Sequence, residues 1–161
     1  MSEPVRFTVS SEQTAGSALD YFNGLHDGFM KRIVLVSQDR IEPDRSQTCT
    51  GVFDVEIDFA HYNYPRGAEP FHPHDQIVRA QFRNVQDILA DFRGEYLGNT
   101  IISLSITTSS RRKGGQTGTE PCLTLRLGRH YFLEAERRYE LREHQLFTFA
   151  EASFIELPSA E

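Results

Sequence analysis

The sequence has no tryptophan, two cysteines and no long apolar run, and these absences narrow the class of protein. Cys49 and Cys122 stand in no metal-binding spacing, so we expect two free thiols, with a disulfide between them as the alternative. No stretch approaches the roughly 18 apolar residues of a membrane span. The N-terminal residues lack the basic segment and apolar core of a secretory signal. We therefore predict a cytoplasmic protein without a membrane partner.

Complete catalytic motifs are also missing. The Gly-x-Ser-x-Gly of hydrolases and the Gly-x-Gly-x-x-Gly of dinucleotide-binding folds do not occur. Cys122 follows a proline with no nearby base, so no feature of the sequence marks it as an activated nucleophile. We expect no cofactor, and whether the protein is an enzyme stays open, with the balance against it.

The charge balance is acidic. The formal net charge is -6 at pH 7 and the sequence pI is about 5.5. Such a balance repels nucleic acid and anionic membranes and favours a basic partner. The expected partner is therefore a basic protein, and not a nucleic acid.

The length and composition fit one globular domain over residues 1–161, with residues 1–4 and 158–161 as loose tails. Apolar residues make up 39% of the chain and charged residues 25%, which is ordinary for globular proteins and not typical of disorder. A domain of this length buries enough surface to fold without disulfides or a structural metal.

Two segments alternate strictly between apolar and charged residues. In residues 53–59, aromatic and aliphatic side chains alternate with Asp54, Glu56 and Asp58. In residues 78–83, the polar positions carry Arg79 and Arg83 instead. Both patterns predict half-buried strands. An antiparallel pairing would set the arginines against the acidic row.

Periodicity and turn residues assign most of the remaining chain. We predict strands at 5–9, 29–36 (central in its sheet), 102–106 and 123–127; a helix from Ser10 or Ser11 to Phe22; a short helix from Asn84; loops at 38–50 and 109–119; a turn at Gly128-Arg129; and two apolar runs within 146–157. Residues 134–144 are ambiguous between helix and strand. The expected fold is mainly β (α+β), with antiparallel sheets in a two-layer sandwich or a strongly curled sheet, and one or two short helices.

A histidine-rich turn is the first candidate site. His72, His74 and Asp75 are potential metal ligands within four residues, and His61 is a fourth. The corner His26-Asp27 would complete a site if the fold brought it near. The alternative is a solvated polar turn. For the corner itself we expect a turn role, because adjacent side chains diverge and do not easily form a catalytic dyad.

The acidic row Asp54, Glu56 and Asp58 is the second candidate, as a docking strip for a basic partner or a metal-binding face. The alternative is a solvated strand face that Arg79 and Arg83 neutralise.

The Gly-rich basic loop that begins at Arg111-Arg112-Lys113 is the third candidate. Its lysine precedes the glycines and strands flank it, unlike a phosphate-binding loop, so a mobile hairpin tip is expected.

The order of three short motifs carries a resemblance. The corner Leu25-His26-Asp27-Gly28 opens an apolar strand, the alternating strand 53–59 follows, and later comes Phe82-Arg83-Asn84-Val85. This order resembles small uncharacterised bacterial domains of the polymorphic-toxin immunity-protein type. The resemblance covers about 60 residues and implies an acidic protein that neutralises a partner by binding it. It assigns no functional residues.

Three functions follow as hypotheses. The leading one is a non-catalytic protein-binding domain, immunity-like or an interaction module. The second is a metal-dependent or small-ligand-binding enzyme that uses His72, His74 and Asp75, with His61 or His26. The third is a structural subunit of a homo-oligomer.

Overall fold

The fold is described by a computed structural model, which covers residues 4–61, 76–89, 100–112, 118–133 and 135–157. It is mainly β, as predicted, and its strand pairs are antiparallel. The elements are β1 (Arg6–Val9), α1 (Glu12–Tyr21), a 3-10 turn (Asn23–Leu25), β2 (Phe29–Ser37), β3 (Arg40–Ile41), β4 (Gln47–Thr48), β5 (Phe53–His61), β6 (Gln76–Val85), β7 (Ser103–Arg112), β8 (Thr119–Leu133), β9 (Arg138–Phe149) and β10 (Glu151–Leu157). The predicted tails are residues 1–4 and 158–161, and all of them except residue 4 lie outside the described residues.

Two sheets enclose one hydrophobic core. The larger has the strand order β1-β10-β6-β5-β2, and the smaller has the order β7-β8-β9. Phe82 of β6 is fully buried between them, with its ring centroid 4.9 Å from that of Phe147 and 5.0 Å from that of Phe149. The sheets join at one corner, where Gln86 and Thr148 exchange two backbone hydrogen bonds of 2.9 Å. Backbone hydrogen bonds as well as side-chain packing therefore hold the two sheets together at that corner.

Helix α1 begins where the sequence predicts. The Ser11 hydroxyl accepts a hydrogen bond from the Thr14 N–H, and the Ser11 N–H donates to the Thr14 hydroxyl, which satisfies two backbone donors at the helix start. Ala15, Ala18 and Phe22 are fully buried, so the predicted apolar face packs on the core.

The predicted pairing of the two alternating segments is confirmed. Strands β5 and β6 are antiparallel neighbours, with Asp58 opposite Arg79 and Glu56 opposite Gln81. Val55 and Ile57 are buried on the other side of β5. The alternation therefore separates a core face from a polar face, as the period of two requires.

The prediction of a central strand at 29–36 is wrong. Strand β2 lies at one end of the strand order, and Leu35 and Val36 are 49% and 57% exposed. Consecutive apolar residues occur in a strand that is covered on both faces, and they also occur in an edge strand whose outer side is unpaired. The local sequence does not distinguish these two environments.

Two predicted breaks in the strands are also wrong. No helix begins at Asn84, because β6 continues to Val85 and the chain then bonds to β9. The rest of that predicted helix, from residue 90 on, lies outside the described residues. Strand β8 runs straight through Gly128, which pairs with both Ser103 and Glu143. Glycine suits this position because a Cβ here would lie 2.1 Å from the Ser103 hydroxyl oxygen.

The strands are longer than predicted, so the loops between them are shorter. Residues 109–112 belong to β7 and Thr119 begins β8, while residues 113–117 lie outside the described part. The ambiguous segment 134–144 contains a turn at 135–137 and then β9, apart from residue 134, which is not described. The predicted loop 38–50 holds the two-stranded ladder of β3 and β4.

Candidate functional site

The polar side of β2, β5 and β6 forms a charged face. Because side chains alternate along each strand, every second residue points away from the core. The face consists of Arg32, Val34 and Val36 on β2, Asp54, Glu56 and Asp58 on β5, and Arg79, Gln81 and Arg83 on β6.

Ion pairs cross this charged face from strand to strand. Arg79 donates from Nε to Asp58 Oδ1 at 2.7 Å and from Nη2 to Asp58 Oδ2 at 3.0 Å. Arg32 Nη1 lies 2.6 Å from Glu56 Oε1. Arg83 Nη1 lies 2.7 Å from Asp54 Oδ2. Each carboxylate of the row is therefore neutralised within the sheet, as the alternative interpretation of the row requires.

Hydrogen bonds stabilise the charged form of these carboxylates. The bonds from Arg79 hold the pKa of Asp58 below its ordinary value. The Gln81 amide donates to Glu56 Oε2 at 2.9 Å, and this bond lowers the pKa of Glu56. Both groups are therefore ionised at neutral pH.

The charged face presents more cation than anion to solvent. The side chains of Arg32 and Arg83 are 50% and 54% exposed, whereas that of Asp58 is 10% exposed. A partner approaching this face would meet guanidinium groups before carboxylates. Partner binding by the acidic row itself stays a prediction, and this geometry does not favour a basic partner at that row.

A shallow open groove of about 280 Å³ runs over the charged face. Its walls include Val34 and Val36 on one side and Gln81 and Arg83 on the other, with Glu56 between them. The groove thus offers apolar and charged contacts together, beside the edge of the sheet.

The edge of β2 is the most apolar exposed segment near this groove. From Ile33 to Val36 the strand carries no charge, and Leu35 and Val36 are both about half exposed. Apart from the bridge between Phe29 and Thr100, no described strand pairs with the outer side of β2. The sequence pattern did not reveal this open edge, although the uncharged stretch 33–36 was a signal for it.

The gap between the two sheets opens beside the same edge. It is a purely apolar cleft of about 40 Å³. Its lining residues are Ile33, Leu35, Val55, Ile57, Ile88, Leu146 and Phe147. The inward side chains of β2 therefore border a small unfilled apolar space.

The structure brings together part of the predicted histidine site. The His61 ring is 1% exposed, and its Nε2 donates a 2.8 Å hydrogen bond to the backbone oxygen of His26. Burial lowers the pKa of His61, so its neutral form is favoured. Since that Nε2 is held by a carbonyl, His61 acts as a core residue that fixes the corner.

The expectation that His26 and Asp27 diverge is wrong. Their side chains meet, with His26 Nδ1 2.9 Å from Asp27 Oδ2. Asp27 has a φ of 65°, and this left-handed turn conformation brings the neighbouring side chains to the same side. The Asp27 N–H donates to Ile101 O at 2.9 Å, which ties the corner to the residues just before β7.

The remaining metal candidates, His72, His74 and Asp75, lie outside the described residues. Within the residues that the structure describes, no cluster of three or more histidines, cysteines or carboxylates is placed to hold a metal ion. The metal-site hypothesis therefore stays a prediction.

Arg111, the first cation of the predicted basic loop, is buried in β7. Arg111 is 8% exposed, and it donates from Nε to Glu120 Oε1 at 2.7 Å and from Nη1 to the Asn84 carbonyl at 2.5 Å. Arg111 is therefore a structural link between the sheets, and not part of a mobile tip. Lys113 lies outside the described residues.

Comparison with protein-family models, with curated proteins and with solved structures found no match. Among the described residues, no helix has the length and apolar character needed to cross a membrane.

Proposed function

We propose that this chain is a non-catalytic protein-binding domain that binds its partner at the open edge of β2. The observation that carries the proposal is the edge itself, where Leu35 and Val36 are 49% and 57% exposed. Natural proteins blunt free sheet edges with charges, prolines or covering segments, because unpaired N–H and C=O groups invite another strand. The stretch from Ile33 to Val36 carries none of these residues.

The surroundings of the edge support the same proposal. Apolar patches rimmed by polar groups are typical of protein interaction sites. The half-exposed Arg32 and the charged groups of β5 provide such a rim along one side of β2. Neutralisation of a partner by this contact, in the manner of an immunity protein, is the form of binding that we favour.

A cytoplasmic location is part of the proposal. Cys49 is exposed and Cys122 is buried, and both are free thiols. An exposed free thiol is more typical of a reducing compartment than of a secreted protein.

The test combines capture with mapping. The wild-type protein and a Leu35→Lys variant would be used as bait in a lysate of the cells that produce the protein. Hydrogen exchange on the purified complex would then locate the contact. We expect new protection of β2 amides in the wild-type complex and loss of capture by Leu35→Lys, because a charge on the core side of the edge opposes burial of a partner's apolar side chains there.

A matched control lies on the opposite edge of the same sheet. Thr8 is an exposed residue of β1, and Thr8→Lys adds the same charge away from β2. This variant should capture the partner as the wild type does. A complex that protects β1 or the second sheet and leaves β2 unchanged would contradict the proposal.

A further inference from the structure

We propose that the open edge of β2 accepts an extended strand in which acidic residues alternate with apolar ones. The acidic side chains would lie on the side of the charged face, and the apolar side chains would face the core. This inference rests on the proposed function and names the chemistry of the partner.

The residue pattern of β2 and its neighbour indicates the chemistry of the added strand. The sequence of β2 from Phe29 to Ser37 contains Lys31 and Arg32 and no acidic residue. On its paired side, β2 is matched by β5, in which Glu56 and Asp58 alternate with buried Ile57. The strand that already pairs with β2 therefore shows which pattern suits it: carboxylates outside and aliphatic groups inside.

Arg32 retains hydrogen-bond donors that can serve a further carboxylate. Its hydrogen bonds to Glu56 at 2.6 Å and to Asp58 at 3.4 Å both come from Nη1. Within the described residues, Nε and Nη2 of Arg32 make no hydrogen bond, and the side chain is 50% exposed. A guanidinium can hold a second carboxylate through its remaining donors. An acidic residue on the added strand would occupy this position.

The core side of β2 is apolar and suits the apolar side chains of the added strand. Leu35 borders the apolar cleft between the sheets and is half exposed. Apolar side chains of an added strand would cover Leu35 and lie against the mouth of this cleft. Burial of this area gives the favourable free energy, and the acidic residues give the specificity.

A second copy of this chain suits the edge less well. In a two-fold antiparallel pairing of β2 with itself, every residue that faces Arg32 is also a residue of β2. Since β2 has no acidic side chain, Arg32 would gain no counter-charge in such a dimer. An acidic residue on a strand from a different protein supplies the counter-charge for Arg32.

The test uses a defined peptide as the probe. The peptide has the sequence of residues 53–59, which follows the proposed pattern, with a solubilising lysine-free tail. A control peptide has asparagine or glutamine in place of each acidic residue. Titration calorimetry with the full chain should show binding of the acidic peptide and about fivefold weaker binding of the amide peptide, since the ion pair with Arg32 is lost. Hydrogen exchange should show new protection in β2.

Two variants isolate the role of Arg32. Arg32→Gln should weaken binding of the acidic peptide about fivefold and leave the amide peptide unchanged. Arg6→Gln is the matched control, because Arg6 is an exposed arginine on the opposite edge strand β1. This variant should bind both peptides as the wild type does.

The outcomes separate this inference from the proposed function. Equal binding of both peptides at β2 would overturn the acidic partner and leave the edge as the binding surface. β2 amides that are as protected in the free monomer as those of β5 would mean that the edge is already covered, which would overturn both. Protection of β2 in a dimer detected by sedimentation would identify a second copy as the occupant and would also overturn the acidic strand.

Discussion

Asp58 and Arg79 face each other across β5 and β6 and form a two-bonded ion pair on the charged face. The carboxylate is the more buried of the two groups, with side-chain exposures of 10% for Asp58 and 30% for Arg79. Paired N–H donors in the plane of a carboxylate fix both side chains, so this contact defines the register of the two strands as well as their charge.

The first prediction concerns the strength of this pair. Asp58→Asn should lower the free energy of unfolding by about 1–2 kcal/mol, because charge-assisted bonds to a largely buried group contribute more than exposed pairs. Asp54→Asn is the control, since Asp54 is 29% exposed and its partner Arg83 is 54% exposed. Asp54→Asn should lower the free energy of unfolding by less than about 1 kcal/mol. Urea denaturation measures both, and a larger loss for Asp54→Asn would contradict the argument.

The second prediction is a dependence of stability on pH through His61. Burial lowers the pKa of this ring in the fold, so protons bind to it more readily in the unfolded chain. Its contribution to stability is complete above the unfolded value of about 6.5 and is lost as the pH falls towards the folded pKa.

The variant His61→Gln tests this dependence, because an amide can still donate to the His26 carbonyl and does not titrate. Urea midpoints of the wild type should fall between about pH 6.5 and about pH 5. The midpoints of His61→Gln should fall less over the same range. Parallel curves for the two proteins would show that His61 does not control the effect.

The pairing of β5 with β6 was predictable because both determinants are local. Each strand alternates with a period of two, and the opposite charges of Asp58 and Arg79 indicate which strands are neighbours. The cap of α1 at Ser11 was predictable for the same reason, since a helix start depends on a few adjacent residues.

The position of a strand within its sheet is not local information. The apolar stretch 33–36 fits a central strand and an uncovered edge equally well, and its place depends on residues far along the chain. The continuation of β8 through Gly128 depends likewise on a close approach to Ser103 from another strand. A glycine-arginine pair looks like a turn until that neighbour is known.

The candidate site was predictable in part. The acidic row and its two arginines on β6 were identified from the sequence, but Arg32 was not, because it does not stand in an alternating pattern of apolar and charged residues. The contact between His26 and Asp27 was missed because it requires the left-handed φ of Asp27. Such conformations are uncommon outside glycine and are not encoded by residue type alone.

The third prediction contrasts two glycines. A Cβ at Gly28 would lie 2.9 Å from the backbone oxygens of both Ala60 and Leu25. Because backbone atoms cannot move aside cheaply, Gly28→Ala should destabilise the protein by about 2 kcal/mol or more. At Gly16, within α1, a Cβ would meet no atom within 4 Å. Gly16→Ala should stabilise by about 0.5–1 kcal/mol through lower backbone entropy of the unfolded chain.

Thermal unfolding of the two alanine variants measures the contrast. The circular dichroism of Gly28→Ala at low temperature would show whether it still folds. A stable Gly28→Ala protein would mean that the corner relaxes, and that the close approach of β5 to this turn is not required.

The fourth prediction concerns two adjacent arginines with different environments. Arg111 is nearly buried and bonded to Glu120 and to the Asn84 carbonyl, whereas Arg112 is exposed. Arg111→Met should lower the free energy of unfolding by about 2–3 kcal/mol, because it leaves a carboxylate and a carbonyl without their charged donor. Arg112→Met should change it by less than about 0.5 kcal/mol.

Urea denaturation compares the two methionine variants, and native-state hydrogen exchange locates the loss. Arg111 bonds to the end of β6 from β7, so its removal should raise the exchange rate of the Gln86 amide, which bonds to Thr148 at the corner of the sheets. If Arg111→Met and Arg112→Met were equally stable, the guanidinium would not be what holds this corner, and the backbone bonds between Gln86 and Thr148 would have to suffice.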